Sequence, residues 1–294
     1  MKKKLLVLAV MLAMILSMGL MAGCGEKTGG SAEGDDAGEA SGNSSSDTLV
    51  VGLDDAFAPM GFRDEDGELV GFDIDLAEAV AEELGMKVEF KPIDWNAKEA
   101  ELKAGTVDCL WNGMSVTPDR IENMALTYKY LNNKIVLMSL ADSDIDVTSA
   151  DQLKDLKIGT QAGSSALQML EKNEAYESFK DNITEYAKYD TAIMDLKAGR
   201  VDVIAVDQVL GEYTNNNLGG EMKECTYSLG DDFYTIGCAS DNTELRDKLN
   251  NALKTLIDNG KAAEISEEWF GRDIMVFELV EGEEEGDKIC RNDR

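Results

Sequence analysis

The heptad Leu102-Lys103-Ala104-Gly105-Thr106-Val107-Asp108 recurs almost intact in the second half of the chain as Leu196-Lys197-Ala198-Gly199-Arg200-Val201-Asp202. Each copy reads as a helix end, a glycine that stops it and an incoming strand. Each strand then runs into a polar turn, Asn112-Gly113-Met114-Ser115 in the first case and Asp207-Gln208 in the second. Two helix-to-strand connections can match by chance over so short a stretch. What constrains the fold is the other explanation, two lobes built on one α/β plan. Ligands of open α/β sheets sit beyond the carboxyl ends of the strands. Two such lobes face to face make a cleft with both polar turns on its walls.

The remaining pattern agrees, because short β-like runs alternate with helical ones, as in α/β folds with parallel strands. Leu49 to Leu53 predicts a first strand. Asp73 to Leu84 predicts a helix, with Asp73 as its cap, Ile74, Ala77, Val80, Ala81 and Leu84 along one face, and Gly85 as its stop. Val88 and Phe90 alternate with polar residues ahead of Pro92, a strand and its exit. Asn96 to Ala104 predicts a helix ended by Gly105, and Val107 to Trp111 the next strand.

Lys2, Lys3 and Lys4 precede an apolar run from Leu5 to Leu20, and Met21-Ala22-Gly23-Cys24-Gly25 follows. A basic start, a short apolar region and a small-residue cleavage site make a secretory signal, residues 1–23. The cysteine directly after Ala-Gly resembles the lipobox of bacterial lipoproteins, with Met21 where Leu is usual. Cys24 would then carry the lipid. An uncleaved transmembrane anchor is the alternative, since about 20 apolar residues span a bilayer. Both put everything after residue 24 outside the cytoplasm. Residues 24–47 are rich in Gly, Ser, Ala, Asp and Glu and lack large apolar side chains. Such a stretch cannot offset its ordering entropy and is predicted to be a flexible tether, with a reach of roughly 25 Å. Residues 279–294, with Glu283-Glu284-Glu285, read as a solvated acidic tail.

The chain holds 28 basic and 58 acidic residues, net −30. That excludes nucleic acid as a partner, because phosphates demand Lys/Arg patches. It also disfavours direct binding to an anionic lipid surface, which makes a covalent anchor more necessary. There is no histidine, which removes the commonest metal ligand and the commonest general base together. Besides Cys24 the cysteines are Cys109, Cys225, Cys238 and Cys290, with no Cys-x-x-Cys spacing. Neither a zinc site nor any other metal or cofactor is expected. Cys225 and Cys238 can pair in an oxidising compartment or remain buried free thiols.

Several stretches together carry a family resemblance. They are Asp54 to Phe62; Gly67 to Gly85 with Gly71-Phe72-Asp73-Ile74-Asp75-Leu76; Gly113-Met114-Ser115-Val116-Thr117-Pro118-Asp119-Arg120; Gly159 to Ser165; and Leu245 to Gly271, ending in Glu268-Trp269-Phe270-Gly271. From about Leu49 to about Val276 the chain resembles the extracytoplasmic solute-binding proteins of polar amino acid ABC transporters. This is bacterial solute-binding protein family 3, whose members include glutamine, histidine, lysine/arginine/ornithine and cystine binders. The resemblance implies a two-lobe, type II periplasmic-binding-protein fold, α/β in class, each lobe a small α/β sandwich. Lobe one would comprise residues 48–136 and 235–278, and lobe two 137–234. Two crossover hinge strands, near Ile135 to Leu140 and Leu229 to Ile236, would let a monomer close on its ligand.

An amino acid zwitterion needs a cation for its carboxylate, an anion for its ammonium and a selector for its side chain. Thr117-Pro118 is an N-cap followed by proline at the first helical position, so Arg120 falls in the first turn. Its planar guanidinium can hold a carboxylate through two parallel hydrogen bonds; a surface pair with Glu122 is the alternative. Gly163-Ser164-Ser165 opens the helical run Ala166 to Glu171, whose free N–H groups suit an anion, although serine capping alone explains the pattern. The resemblance makes Arg120 the carboxylate clamp, helped by Ser115 and, from the second lobe, by Ser165 with Ser164 beside it. It makes Asp207, at the end of the strand Val201 to Val206, the acceptor of the ammonium, with the Gly113 carbonyl as second acceptor. Asp207 also suits a helix N-cap. Phe57 and Trp95 match aromatic positions that flank the ligand side chain, and Asp54, Asn112 and Gln161 match positions that vary with specificity. Arg120 is the only evident cation there, so a neutral polar ligand such as glutamine, or cystine, is favoured over Asp or Glu. A basic side chain stays open if Asp54 is ionised. Lys129 stands where the family usually has Pro, and Met60 where it often has Phe or Pro.

The expectation is a non-enzymatic protein that binds a polar L-amino acid and delivers it to ABC permease subunits. One rival is a cyclohexadienyl dehydratase-like enzyme on the same scaffold, for which Asp54 and Asp207 would have to supply a general acid. Another is a ligand-sensing surface lipoprotein. All three sit on the extracytoplasmic face of the cell membrane, held by the lipid on Cys24. Metabolic labelling with a fatty-acid analogue checks that anchor: Cys24→Ser should lose the label while its folded domain stays intact, and equal labelling would refute it.

Overall fold

The computed structural model describes residues 47–280. The expected signal peptide, Cys24, the tether up to Ser46 and the acidic tail past Val280 lie outside the described residues. β1 (Thr48–Leu53) leads into a small sheet of β2 (Ala56–Phe57), β3 (Gly61–Arg63) and β4 (Leu69–Val70). α1 (Phe72–Glu83), β5 (Lys87–Pro92), α2 (Lys98–Lys103), β6 (Cys109–Ser115), α3 (Pro118–Asn123) and β7 (Met124–Leu126) complete a first group. The long β8 (Lys129–Leu140) leads to a second. It holds β9 (Ile158–Gln161), α4 (Ser165–Glu171), α5 (Tyr176–Phe179), β10 (Ile183–Tyr186), α6 (Tyr189–Lys197), β11 (Val203–Asp207) and α7 (Gln208–Asn217). β12 (Met222–Ala239) runs back, followed by α8 (Thr243–Asp258), α9 (Lys261–Phe270) and β13 (Met275–Glu278).

The main sheet has the order β10-β9-β11-β8-β12-β6-β1-β5. β1 runs parallel to β5 and β6, and β9 parallel to β10 and β11. Between these trios lie β8 and β12, antiparallel to each other. β8 pairs with β13 at Lys129 and Leu131 and with β11 from Ile135 to Met138. β12 starts opposite the end of β8 and finishes against β6 and β7. The two expected crossings fall inside these two long strands.

The two copies of the heptad have the same geometry, so their likeness is structural and not chance. Gly105 and Gly199 both end a helix in the left-handed region, φ 67° and 69°, where a side chain would be strained. Asp108 and Asp202 then do the same work. Val50 N donates to Asp108 Oδ2 at 2.7 Å, and Lys157 N donates to Asp202 Oδ2 at 2.7 Å. Each repeat aspartate thereby fastens the incoming strand to the first parallel strand of its own trio.

Strands between two helical layers are buried on both faces. In β11, Val203 and Ala205 join one core cluster while Ile204 and Val206 join another, and β8 divides Ile135 and Leu137 from Val136 and Met138 in the same way. In β6, Cys109 and Trp111 face the α1 side, and Leu110 and Met114 pack with Trp95 and Val280. Val280 is 1% exposed, so the second residue of the expected tail is still packed.

Three local expectations change. Asp73 does not cap α1: Gly71 holds the cap position, and the Pro59 and Met60 carbonyls accept from Phe72 N and Asp73 N. With those donors satisfied by backbone, the Asp73 carboxyl points into the core. The expected helix from Asn96 begins as a 3-10 turn, Trp95–Ala97, capped by Asp94, and becomes α-helical at Lys98. β6 continues through Asn112-Gly113-Met114-Ser115, because Met114 and Ser115 pair with Thr235 and Tyr234 of β12. As for the thiols, Cys225 and Cys238 lie far apart along one strand at about 3.3 Å per residue, beyond disulfide reach. Both are free and buried, as is Cys109, which faces Cys238 across the β6–β12 register.

Gly71 has φ 147°, and a Cβ there would collide with the Met60 carbonyl. Gly71→Ala should therefore lower stability by about 2 kcal/mol or more, since strain at such a position exceeds ordinary surface effects. Thermal unfolding against wild type checks this.

Candidate functional site

Ten of the eleven expected site residues surround one small cavity: Phe57, Trp95, Asn112, Gly113, Ser115, Arg120, Gln161, Ser164, Ser165 and Asp207. They come from the strand ends and helix starts of both groups. Asp54, the eleventh, sits one step back, where its Oδ2 accepts from Gln161 Nε2 at 2.6 Å.

Arg120 occupies the first turn of α3, behind the Thr117 cap and Pro118. It is 2% exposed. Nη1 donates to the Ser115 carbonyl at 2.7 Å, which turns the guanidinium inward and away from Glu122. Nε and Nη2 are buried with no hydrogen-bond partner among the described residues. Burial pulls the group below its ordinary pKa, against the opposing fields of Glu99, Asp232, Asp207 and Asp119. Two orphaned donors of a planar fork are costly to bury, and their geometry suits a carboxylate.

Ser164 caps α4, accepting from Leu167 N at 3.1 Å. Ser165, the first residue of the helix, reaches the Ser115 hydroxyl at 2.8 Å. Ser115 Oγ also donates to Asp232 Oδ2 at 2.8 Å. A hydroxyl donates once, so Asp232 competes for the proton that Ser115 was expected to offer a ligand carboxylate.

Asp207 stands at the N-cap position of α7 but does not cap it. Its Oδ1 accepts from Asn133 Nδ2 at 2.8 Å and from the Tyr234 hydroxyl at 3.0 Å. Burial, and then the neighbouring Asp232, push its carboxyl up from the usual aspartate value. Gly113 has φ 59°, and its N–H donates to Asp73 Oδ2 at 2.7 Å. Asp73 also accepts from the Tyr130 hydroxyl at 2.9 Å.

Phe57 and Trp95, 6% and 7% exposed, form the aromatic part of the cavity lining. Asn112 is engaged by backbone: with its amide turned to suit its neighbours, it donates to Asp54 O at 3.0 Å and accepts from Gly61 N at 3.1 Å. Gln161 donates to the Ala187 carbonyl at 3.0 Å as well as to Asp54. Burial raises the Asp54 carboxyl, with the bonds from Gln161 and Ala56 opposing.

Five contributors were not anticipated. Asp232 and Asn133 face each other across β12 and β8, and no local pattern marks them. Lys98 is 2% exposed, and its Nζ donates to Gly163 O at 2.8 Å and Trp95 O at 3.2 Å. Burial and then the Arg120 charge pull it down to about 8. The fold thus brings a second cation near the cavity, although Arg120 is the one that lines it. Asp73, expected as a cap, instead accepts from Gly113 N. Lys129 lies 3.9 Å from the centre of the Phe233 ring, next to Asp232. Among the described residues no group of three or more His, Cys, Asp or Glu side chains is placed to hold a metal.

Two parallel α/β groups meeting over one polar cavity, and joined by two long strands, define a two-lobe binding protein. Residues 49–272 match the model of the bacterial extracellular solute-binding proteins, family 3, and the chain belongs to that family. It is 27% identical over 236 residues to the L-cystine-binding protein of Escherichia coli K12, covering 77% of this chain and 84% of the relative. It is 32% identical over 235 residues to a probable amino-acid ABC transporter-binding protein of Haemophilus influenzae, covering 77% and 86%. Among solved structures it resembles an ABC uptake transporter substrate-binding protein of Streptococcus pneumoniae with bound histidine. The TM-score is 0.74 at 37% identity, over 78% of this chain and 95% of that one. The fold is the type II periplasmic-binding-protein fold, and an extracytoplasmic location goes with the family.

Asp73 provides a pH test of the wall behind Gly113. Burial pushes its carboxyl up to about 7. The folded chain then keeps a proton that the unfolded chain gives up near pH 4, so this group costs stability increasingly as pH rises from 4 through 7. Asp73→Asn cannot ionise. Relative to wild type, the variant should gain up to about 1.4 kcal/mol per pH unit across that window. Chemical unfolding at pH 5 and pH 8 measures the difference.

Proposed function

We propose that the chain captures a polar L-amino acid outside the cytoplasmic membrane and delivers it to an ABC importer, held at the membrane by lipid on Cys24. The observation that carries this is the inward-turned guanidinium of Arg120, with two buried nitrogens that have no hydrogen-bond partner among the described residues and the Asp207 carboxyl lining the same cavity. A cation and an anion lining one cavity suit the two charges of a zwitterion. In this assignment Arg120 holds the ligand carboxylate with Ser165 and Ser115. Asp207 and the Gly113 carbonyl hold the ammonium. Phe57, Trp95, Asn112 and Gln161 contact the side chain, with Asp54 behind them.

Arg120 and Gly113 come from the first group, Ser165 and Asp207 from the second. A ligand bound by both interacts more strongly with the closed arrangement, and that difference is what drives closure. A neutral polar side chain is favoured, because Arg120 is the cation among the lining residues and Gln161 already occupies Asp54 Oδ2. The dehydratase-like reading draws on one observation, the raised carboxyl of Asp207. Turnover of prephenate or arogenate would support it over simple binding.

A thermal-shift screen of the common L-amino acids and cystine finds the ligand, and calorimetry then tests the clamp. Stranding a buried partner charge costs roughly 3–5 kcal/mol, so Arg120→Ala should weaken binding by about 10²-fold or more. Arg120→Lys should recover only part, because an ammonium lacks the planar fork. The ligand's carboxamide derivative should bind wild type poorly and lose less on mutation. Wild-type affinity in Arg120→Ala would place the clamp elsewhere.

A further inference from the structure

Asp207, Asn133 and Asp232 lie on the adjacent strands β11, β8 and β12, with Asn133 directly opposite Asp232. The single Nδ2 of Asn133 donates to Asp207 Oδ1 and to Asp232 Oδ2, each at 2.8 Å. Two carboxyls thereby share one amide nitrogen, and they are 3% and 2% exposed. Ser115 Oγ adds a donor to Asp232, and Tyr234 adds one to Asp207. Asp232 Oδ1 is buried with no hydrogen-bond partner among the described residues. The groups that face this pair are Arg120 from α3, the phenols of Tyr234 on β12 and Tyr189 on α6, and, acting through Arg120, Lys98 of α2.

Like carboxylates this close cannot both ionise without strong repulsion, and a single proton between them removes it. Burial raises both groups, and Asp232 raises Asp207 further. The bonds from Asn133, Tyr234 and Ser115, and the Arg120 charge on the Asp232 side, oppose it.

We propose that Asp207 and Asp232 form one ammonium-binding unit, which holds a single shared proton while the site is empty and releases it to solvent when a ligand ammonium takes its place. This rests on the assignment of the ligand ammonium to Asp207. The ligand enters as a zwitterion and keeps all its protons. The carboxyl proton leaves to water or buffer, and the two carboxylates are left facing one cation. Strand pairing among β11, β8 and β12 holds the unit together, so it does not depend on contact with the opposite wall.

Calorimetry of wild type and Asp232→Asn tests it, with L-glutamine, L-arginine, L-histidine and the other common L-amino acids as probes, in two buffers of different ionisation heat. Wild type should release about one proton per amino acid bound at pH 5.5 and about none at pH 8.5. Asp232→Asn should release less at pH 5.5. Its affinity should fall about tenfold at pH 8.5 and by less at pH 5.5, an asymmetry that lost packing would not produce. Binding with no buffer dependence at pH 5.5 overturns the shared proton and leaves amino acid capture standing. Binding of none of the common L-amino acids overturns both. Carboxyl-¹³C aspartate NMR of wild type decides the matter even if the variant does not fold. Besides Asp73, one further aspartate should titrate near neutral pH and lose that titration when the amino acid is added. Titration of every other aspartate below about pH 5 overturns the proposal.

Discussion

Removing a guanidinium from water costs several kcal/mol unless opposite charge and hydrogen bonds compensate. Arg120 is buried with only Nη1 satisfied, so its tolerance rests on the fields of Glu99, Asp232, Asp207 and Asp119. Asp119 is its neighbour in α3, but the other three come from α2, β12 and β11, and Asp207 and Asp232 are near Arg120 through the sheet order that sets β11, β8, β12 and β6 side by side. The dependence runs the other way too. Asp232 is buried beside Asp207, and the Arg120 charge is among the influences that hold its carboxyl down. None of these groups could be buried alone; together they make a polar cavity inside an apolar molecule.

Behind that set lies a second layer that fixes its geometry. The left-handed turn at Gly113 is tied by its N–H to Asp73, and Asp73 is free to do this only because backbone carbonyls satisfy the start of α1. Of these carbonyls, from Pro59 and Met60, that of Met60 approaches so closely because residue 71 has no Cβ. A buried glycine thus governs where a cavity wall stands, through two hydrogen bonds and one buried carboxyl.

What the sequence made legible was local. Thr117-Pro118 fixes a helix start, so Arg120 could be placed in its first turn, and Gly163-Ser164-Ser165 marks another. The heptad repeat was readable because a glycine stop and a strand-fastening aspartate are short-range devices, and Asp108 and Asp202 indeed hold their strands alike. Asp232 was invisible among 58 acidic residues, because its meaning lies in register: it faces Asn133 across two strands nearly a hundred positions apart in sequence. Lys98 was hidden for a related reason, since its partner Gly163 belongs to the other group. The Asp73 cap failed where a long-range backbone contact displaced a local side-chain one. The thiol pairing weighed for Cys225 and Cys238 failed because one long strand separates them.

The polar contacts that cross between the two groups gather at the cavity. Lys98 reaches Gly163 O, Ser165 meets Ser115, and Gln161 meets Asp54. Farther out, Lys188 pairs with Asp55 at 2.7 Å, but both side chains are partly exposed, and such pairs contribute about 0–1 kcal/mol. Lys98 is the most demanding of these residues, because its ammonium loses a good acceptor whenever the walls part. Beside these polar contacts the Phe57–Tyr189 and Phe62–Tyr213 ring pairs cross between the groups, and the polar part of the seam is centred on the cavity that Arg120 and Asp207 both line. A zwitterion bridging those two adds charge-assisted bonds at the one location where the closed arrangement is decided. In the proposed function, the same contacts that recognise the ligand's charged ends set the balance between open and closed, and differential affinity for the closed form is all that such a shift requires.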